Sequence, residues 1–211
     1  MDINYDIREE RANALSHGLG ILIGIFGGGY LLQIAIMSGN PWAVSGMLLY
    51  LFGMLASYVS STLYHASHPS PHKKLLRKFD HAAIYLHIAG SYSPVLLVTL
   101  REAGWWGWGL FSFIWLCTIV GMTLSFYKLK AHSHLKTFCY VAMACSIIIV
   151  FKPLYEVVSA NFIYWLLAEG FFYITGAIFY SLYKLPYMHT VFHLFVLGGT
   201  ICHMIALWYI L

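Results

Sequence analysis

Apolar residues run through this chain in long stretches, and short polar breaks separate them. A helix that crosses a bilayer needs about 20 largely apolar residues. Seven stretches meet that need, roughly 15–37, 42–64, 80–100, 106–127, 135–152, 162–183 and 188–211. The breaks "SGNP", "REAG" and "KLPY" are turn-like or charged. The longest, "HASHPSPHKKLLRKF", carries Pro69 and Pro71, which should end the second helix. The runs have helical length and lack the alternation of a barrel strand. The fold class expected is therefore an all-α membrane protein, a seven-transmembrane helix bundle. Residues 1–14 form an amino-terminal segment, and 15–211 form one membrane domain.

Composition agrees. Charged residues make up 9% of the 211, against about 25% in a soluble domain. The charged start "MDINYDIREERAN" precedes a full-length span, so a cleavable signal is not expected. Cys117, Cys139, Cys145 and Cys202 all lie in apolar runs and read as small packing residues.

The basic residues orient the bundle. Arg8, Arg11, Lys73, Lys74, Arg77, Lys78, Lys128, Lys130, Lys136 and Lys184 fall on one side, and only Arg101 and Lys152 on the other. The positive-inside rule then places the amino terminus in the cytoplasm and the carboxyl terminus outside. Trp105, Trp106 and Trp108 read as interfacial anchors at the outer end of helix four. Gly20, Gly24 and Gly28 form a small-residue stripe that lets a neighbouring helix approach. A homodimer through it stays open. No nucleic-acid partner is expected.

This topology gathers polar residues that are distant in sequence. His65 and Ser61 fall at the inner end of helix two, Asp80 at the inner end of helix three, and His189 and His193 at the inner end of helix seven. Glu10, Asn13 and His17 lead into helix one on the same side. Ionisable groups inside a bilayer are costly and point to a functional site. His189 and His193 are four apart, hence on one helix face, a spacing that lets one helix give two ligands to a metal. His65 can supply a third. Three neutral imidazoles suit zinc and leave its fourth position open to water. Ser61, one turn from His65, can bond that water or a substrate oxygen, and Asp80 can take its proton or orient it. The alternative is a buried polar network that fixes helix register.

Four segments carry a resemblance. "EERANALSHGLG", "SSTLYHAS", "KFDHAAIYLHIAGSYSPVLL" and "MHTVFHLFVLGGTICHMIAL" are similar to the signature segments of the hemolysin III proteins. These are the bacterial branch of the progestin and adipoQ receptor family, related more distantly to alkaline ceramidases. The similarity runs from about Glu10 to the carboxyl terminus. It implies a bacterial inner-membrane protein in which His65, His189 and His193 hold zinc, with Asp80 and Ser61 beside the water. Glu10, Asn13 and His17 match the family's first motif. Two positions depart from it. His87 stands where an apolar residue is expected, and reads as a core histidine with its own partner or as an extension of the polar pocket. Glu169 stands where glycine is expected, far from the zinc level, where a carboxylate must be protonated or paired. His203 reads as polar glue between helices. His68, His72, His132 and His134 read as loop residues, and His81 as pointing away from the face of Asp80.

Three functions follow. One is a zinc-dependent hydrolase of an amide or ester bond in a membrane lipid, with ceramide-like amides suggested by the relatives. The second is a receptor-like sensor or regulator of membrane lipid or energy state, in which zinc is structural and a lipid is the ligand. The third is the pore-forming cytolysin of the family name, which a resident topology disfavours.

Overall fold

The computed structural model describes residues 6–127, 134–182 and 184–211, with 134–136 as backbone alone. Lys128, Lys130 and His132 lie outside the described residues, as do the side chains of His134 and Lys136. Among the described residues, seven helices are long and apolar enough to cross a membrane: α1 Ile7–Met37, α2 Pro41–Ala66, α3 Pro71–Leu100, α4 Trp105–Phe126, α5 Thr137–Val157, α6 Ala160–Ser181 and α7 Met188–Trp208.

Two helices begin earlier than their hydropathy suggests. α1 starts at Ile7, where the Asp6 carboxylate accepts from the Ile7 amide at 2.8 Å. Its first two turns thus occupy the segment expected to precede the membrane domain. α3 starts at Pro71 with Ser70 as its cap. The stretch expected to be a long connection is mostly two turns of α3, because Ser followed by Pro is a strong helix start even when a basic run follows. Asp80 therefore sits in the third turn of α3, not at its start. His68 and His72 are exposed as expected, His72 on the first turn of α3.

Close backbone approaches set the register. The stripe Gly20, Gly24 and Gly28 is filled by Tyr58, Met54 and Leu51 of α2 within the same chain. Gly53 of α2 lies against the Leu86 carbonyl of α3, and Gly90 of α3 against the backbone of Leu49 and Tyr50. These contacts fix α1, α2 and α3 as successive antiparallel neighbours. α7 packs antiparallel on α6 through Gly176, Gly198 and Gly199. It also packs against α1, so α1 sits between α2 and α7. α5 stands beside α3, joined by the Tyr140 hydroxyl on the His81 carbonyl at 2.9 Å and the Tyr92 hydroxyl on the Ala144 carbonyl at 2.6 Å. At the end opposite Asp80, Arg101 lies over the Trp42 ring at 5.5 Å and Trp42 meets Trp108 at 5.5 Å, an aromatic belt where one was expected.

A Cβ on Gly53 would strike the α3 backbone, which cannot swing aside as a side chain can. Gly53→Ala is expected to destabilise the protein by about 1–3 kcal/mol. Gly18 has open space around its Cβ position, so Gly18→Ala is expected to be neutral or slightly stabilising. Thermal unfolding of the two variants in one detergent checks the contrast.

Candidate metal centre

α1 presents Glu10, Asn13 and His17 at spacings of three and four, one face of the helix. That face meets α2 and α7. Glu10 Oε2 lies 2.6 Å from His65 Nδ1, and its Oε1 accepts from Lys73 Nζ at 2.7 Å. The Asn13 carbonyl lies 3.2 Å from His193 Nδ1, and the Ser16 hydroxyl lies 3.0 Å from the same nitrogen. Asn13 Oδ1 accepts from the Thr190 hydroxyl at 2.5 Å. A carboxylate and a carbonyl only accept, so Nδ1 carries the proton in both His65 and His193. Nε2 is then the lone-pair nitrogen that each ring presents to a metal. This is how metal-binding histidines are usually oriented, with the second nitrogen donating to a carboxylate or carbonyl.

His65, His189 and His193 are all buried, and one ligand nitrogen from each lies within 4.8 Å of the others. The rings of His189 and His193 are 4.5 Å apart, and those of His65 and His189 are 5.0 Å apart. The three form a group positioned to bind a metal ion. His17 does not join them as a ligand. It stacks flat on His193, centroids 3.5 Å apart, and meets Tyr58 edge-on at 5.1 Å. Both its nitrogens are buried without a hydrogen-bond partner among the described residues.

The start of α7 is held in place by a residue that the sequence reading passed over. Tyr187 adopts φ 61°, a left-handed conformation costly for a tyrosine. Its amide donates to the Glu9 carboxylate at 3.0 Å. Glu9, Ser16 and Thr190 thus position the two α7 histidines from outside the group. The only sequence signal for Glu9 was a second acid beside Glu10.

His189 and His193 open on a chamber of about 470 Å³ walled by α2, α3, α5, α6 and α7, which His17 of α1 also lines while His65 stands behind its wall, within the usual size of a small-molecule site. Ser61 and Asp80 both line it, and Ser61 Oγ is buried without a hydrogen-bond partner among the described residues. His81 lines it as well, which corrects the expectation that it points away. The ring turns back along α3 so that Nδ1 donates to the Arg77 carbonyl at 2.6 Å and lies 3.9 Å from Asp80 Oδ2. His87 also lines the chamber, and its buried Nε2 has no hydrogen-bond partner among the described residues. It extends the pocket and is not a core histidine with its own bond. Ile148 of α5 and Leu167, Phe171 and Ile174 of α6 line the chamber yet are 50–71% exposed. α5 and α6 meet over little of their length, so the chamber opens sideways between them toward the lipid phase. Glu169 is buried and paired, its Oε2 accepting from His203 Nδ1 at 2.8 Å.

Comparison with known proteins agrees with the motifs. The Haemolysin-III related family matches residues 5–204. The chain is 41% identical over 194 residues to Hemolysin-3 of Bacillus cereus, covering 92% of this chain and 88% of that one. It is 37% identical over 196 residues to the Hemolysin-3 homolog of Bacillus subtilis (strain 168), covering 93% and 91%. It is 29% identical over 209 residues to the human Monocyte to macrophage differentiation factor, covering 95% and 83%. The chain belongs to the hemolysin III family and is a multi-pass membrane protein.

Proposed function

We propose that this hemolysin III family protein binds zinc through His65, His189 and His193 and hydrolyses an amide or ester bond in a membrane lipid. The observation that carries the reading is a cluster of three buried imidazoles, two of them with Nδ1 held by acceptors, of which His189 and His193 line one end of a chamber that Asp80 and Ser61 also line. A zinc ion there supplies Lewis acidity and brings the pKa of a bound water to about 7. The chain's own groups do the rest. A lipid enters between α5 and α6, with its apolar chain along the far wall and its scissile carbonyl at the histidine end. Asp80 accepts the proton of the attacking water and returns it to the leaving amine or alcohol. The Ser61 hydroxyl donates to the carbonyl oxygen as negative charge grows on it. The histidine end faces the cytoplasm of a bacterial inner membrane, as the basic residues favour.

The three histidines also join α2 to α7 and, through Glu10 and Asn13, to α1. That tie favours a second reading, a lipid-responsive regulator in which the metal is structural.

Metal content of detergent-purified protein tests the zinc assignment. Wild type is expected to hold about one zinc per chain, and His189→Ala with His193→Ala none, in a still-helical protein. Glu10→Gln, which weakens the acceptor on His65, is expected to lower zinc affinity about 10–100-fold. Metal-free wild type from chelator-free preparations would sink the reading.

A further inference from the structure

The half of the chamber away from the three histidines holds polar groups that hydrolysis does not use. His203 is ten residues beyond His193 on α7, about 15 Å along the helix axis. His87 is seven residues beyond Asp80 on α3, about 10 Å. His87, Glu169 and His203 all line the chamber, and all are buried. The Glu169 carboxylate accepts from His203 Nδ1 at 2.8 Å, so that in the neutral ring Nε2 is the hydrogen-bond acceptor. His203 Nε2 and His87 Nε2 are both buried without a hydrogen-bond partner among the described residues. Their surroundings are aromatic: Tyr50 lies 5.0 Å from the His203 ring, and Tyr58 and Tyr173 meet His87 edge-on at 5.5 and 6.5 Å. Buried nitrogens are normally satisfied, and leaving one bare is costly. Two of them on one stretch of the chamber wall, with the buried Tyr50 hydroxyl beside them, ask for a ligand group.

We propose that the chamber selects an amphiphile with two polar points: a head at the three-histidine end, and a hydroxyl about 10–15 Å along its chain held by His87 and His203. A hydroxyl suits the pair because it both donates and accepts. It donates to His203 Nε2, and it accepts from His87 in the tautomer that carries its proton on Nε2. Glu169 acts through His203, fixing its ring and tautomer. The inference rests on the chamber being a lipid site.

The test uses three single-chain probes on purified protein in nanodiscs: stearate, 2-hydroxystearate and 12-hydroxystearate, each competing against radiolabelled stearate. The 12-hydroxyl sits at about the required distance from the head, and the 2-hydroxyl beside it. 12-Hydroxystearate is expected to bind about 5–10-fold more tightly than stearate, the gain of one buried hydrogen bond, and 2-hydroxystearate about as stearate does. In His87→Phe, which keeps the ring packing against Tyr58, the ratio of 12-hydroxystearate to stearate affinity is expected to fall to about one. Equal binding of all three probes would overturn this inference and leave the lipid site standing. A preference that survives His87→Phe would overturn the assignment of the hydroxyl to this pair. Absence of binding by any probe would overturn both the lipid site and the inference. The three-probe comparison on wild type decides by itself if the variant does not fold.

Discussion

Asp80→Asn is expected to leave zinc at about one per chain and to lower hydrolysis of an amide- or ester-linked lipid by about 100-fold or more. The substitution is nearly isosteric, and Asp80 is not one of the three clustered histidines. Its carboxylate lies 3.9 Å from the His81 ring and faces the chamber, near Tyr64 and Tyr180. The amide keeps an acceptor oxygen for either, but it cannot take a proton from water. A group acting as general base is worth about 10²–10⁴ in rate, whereas loss of one contact that merely positions a lipid is worth about tenfold. The size of the fall therefore separates the two readings of the site. In the hydrolase, Asp80→Asn keeps metal and fold and loses turnover, while His189→Ala with His193→Ala loses metal and turnover together. In the regulator there is no turnover to lose, and Asp80→Asn alters lipid binding at most. Measuring zinc and product release on the same purified samples settles it. A fully active, zinc-loaded Asp80→Asn protein would remove Asp80 from the chemistry.

The placement of Asp80 also shows what the sequence could and could not reveal. Bilayer thickness fixes the depth of a residue once its helix and direction are known, so His65, His189 and His193 were legible as one level of the bundle. The i, i+4 spacing then put two of them on one face. The start of α3 was misread because hydropathy sees "HKKLLRK" as a break, whereas the backbone sees Ser70 capping and Pro71 at the first helical position. The spacing rule for His81 gave the direction of its Cβ and not the turn of its ring toward the Arg77 carbonyl. Glu9 was invisible for a different reason. Its partner is the Tyr187 amide, 178 residues away, and a backbone group leaves no mark in the sequence. The opening between α5 and α6 depends on which helices are neighbours, which hydrophobic periodicity does not encode. Even His87 and Glu169 were legible only as departures from a family pattern. Their chemistry emerged once α3, α6 and α7 were seen to share a wall.

The Glu169–His203 pair carries the largest expected effect on stability. His203→Leu leaves a carboxylate in the apolar interior of α6, where only 8% of the residue is exposed, and is expected to cost about 3–5 kcal/mol. An ordinary hydrogen bond between membrane helices is worth far less, about 0.6 kcal/mol on average, because the separated helices find other partners. The cost of His203→Leu therefore decides whether this residue is simple polar glue or one half of an obligatory pair. Glu169→Leu strands a neutral ring and not a carboxylate, so its cost is expected to be smaller, about 1–3 kcal/mol. Replacing both by leucine removes the pair's buried charge and dipole together, and should restore stability to wild type or above it. A double-mutant cycle of unfolding in one detergent measures the coupling directly. Additive single and double changes would show that the two side chains do not depend on each other. If the pair is coupled and the double variant is as stable as wild type, retention of Glu169 and His203 needs a reason other than folding. A hydroxyl bound at His203 Nε2 would be that reason.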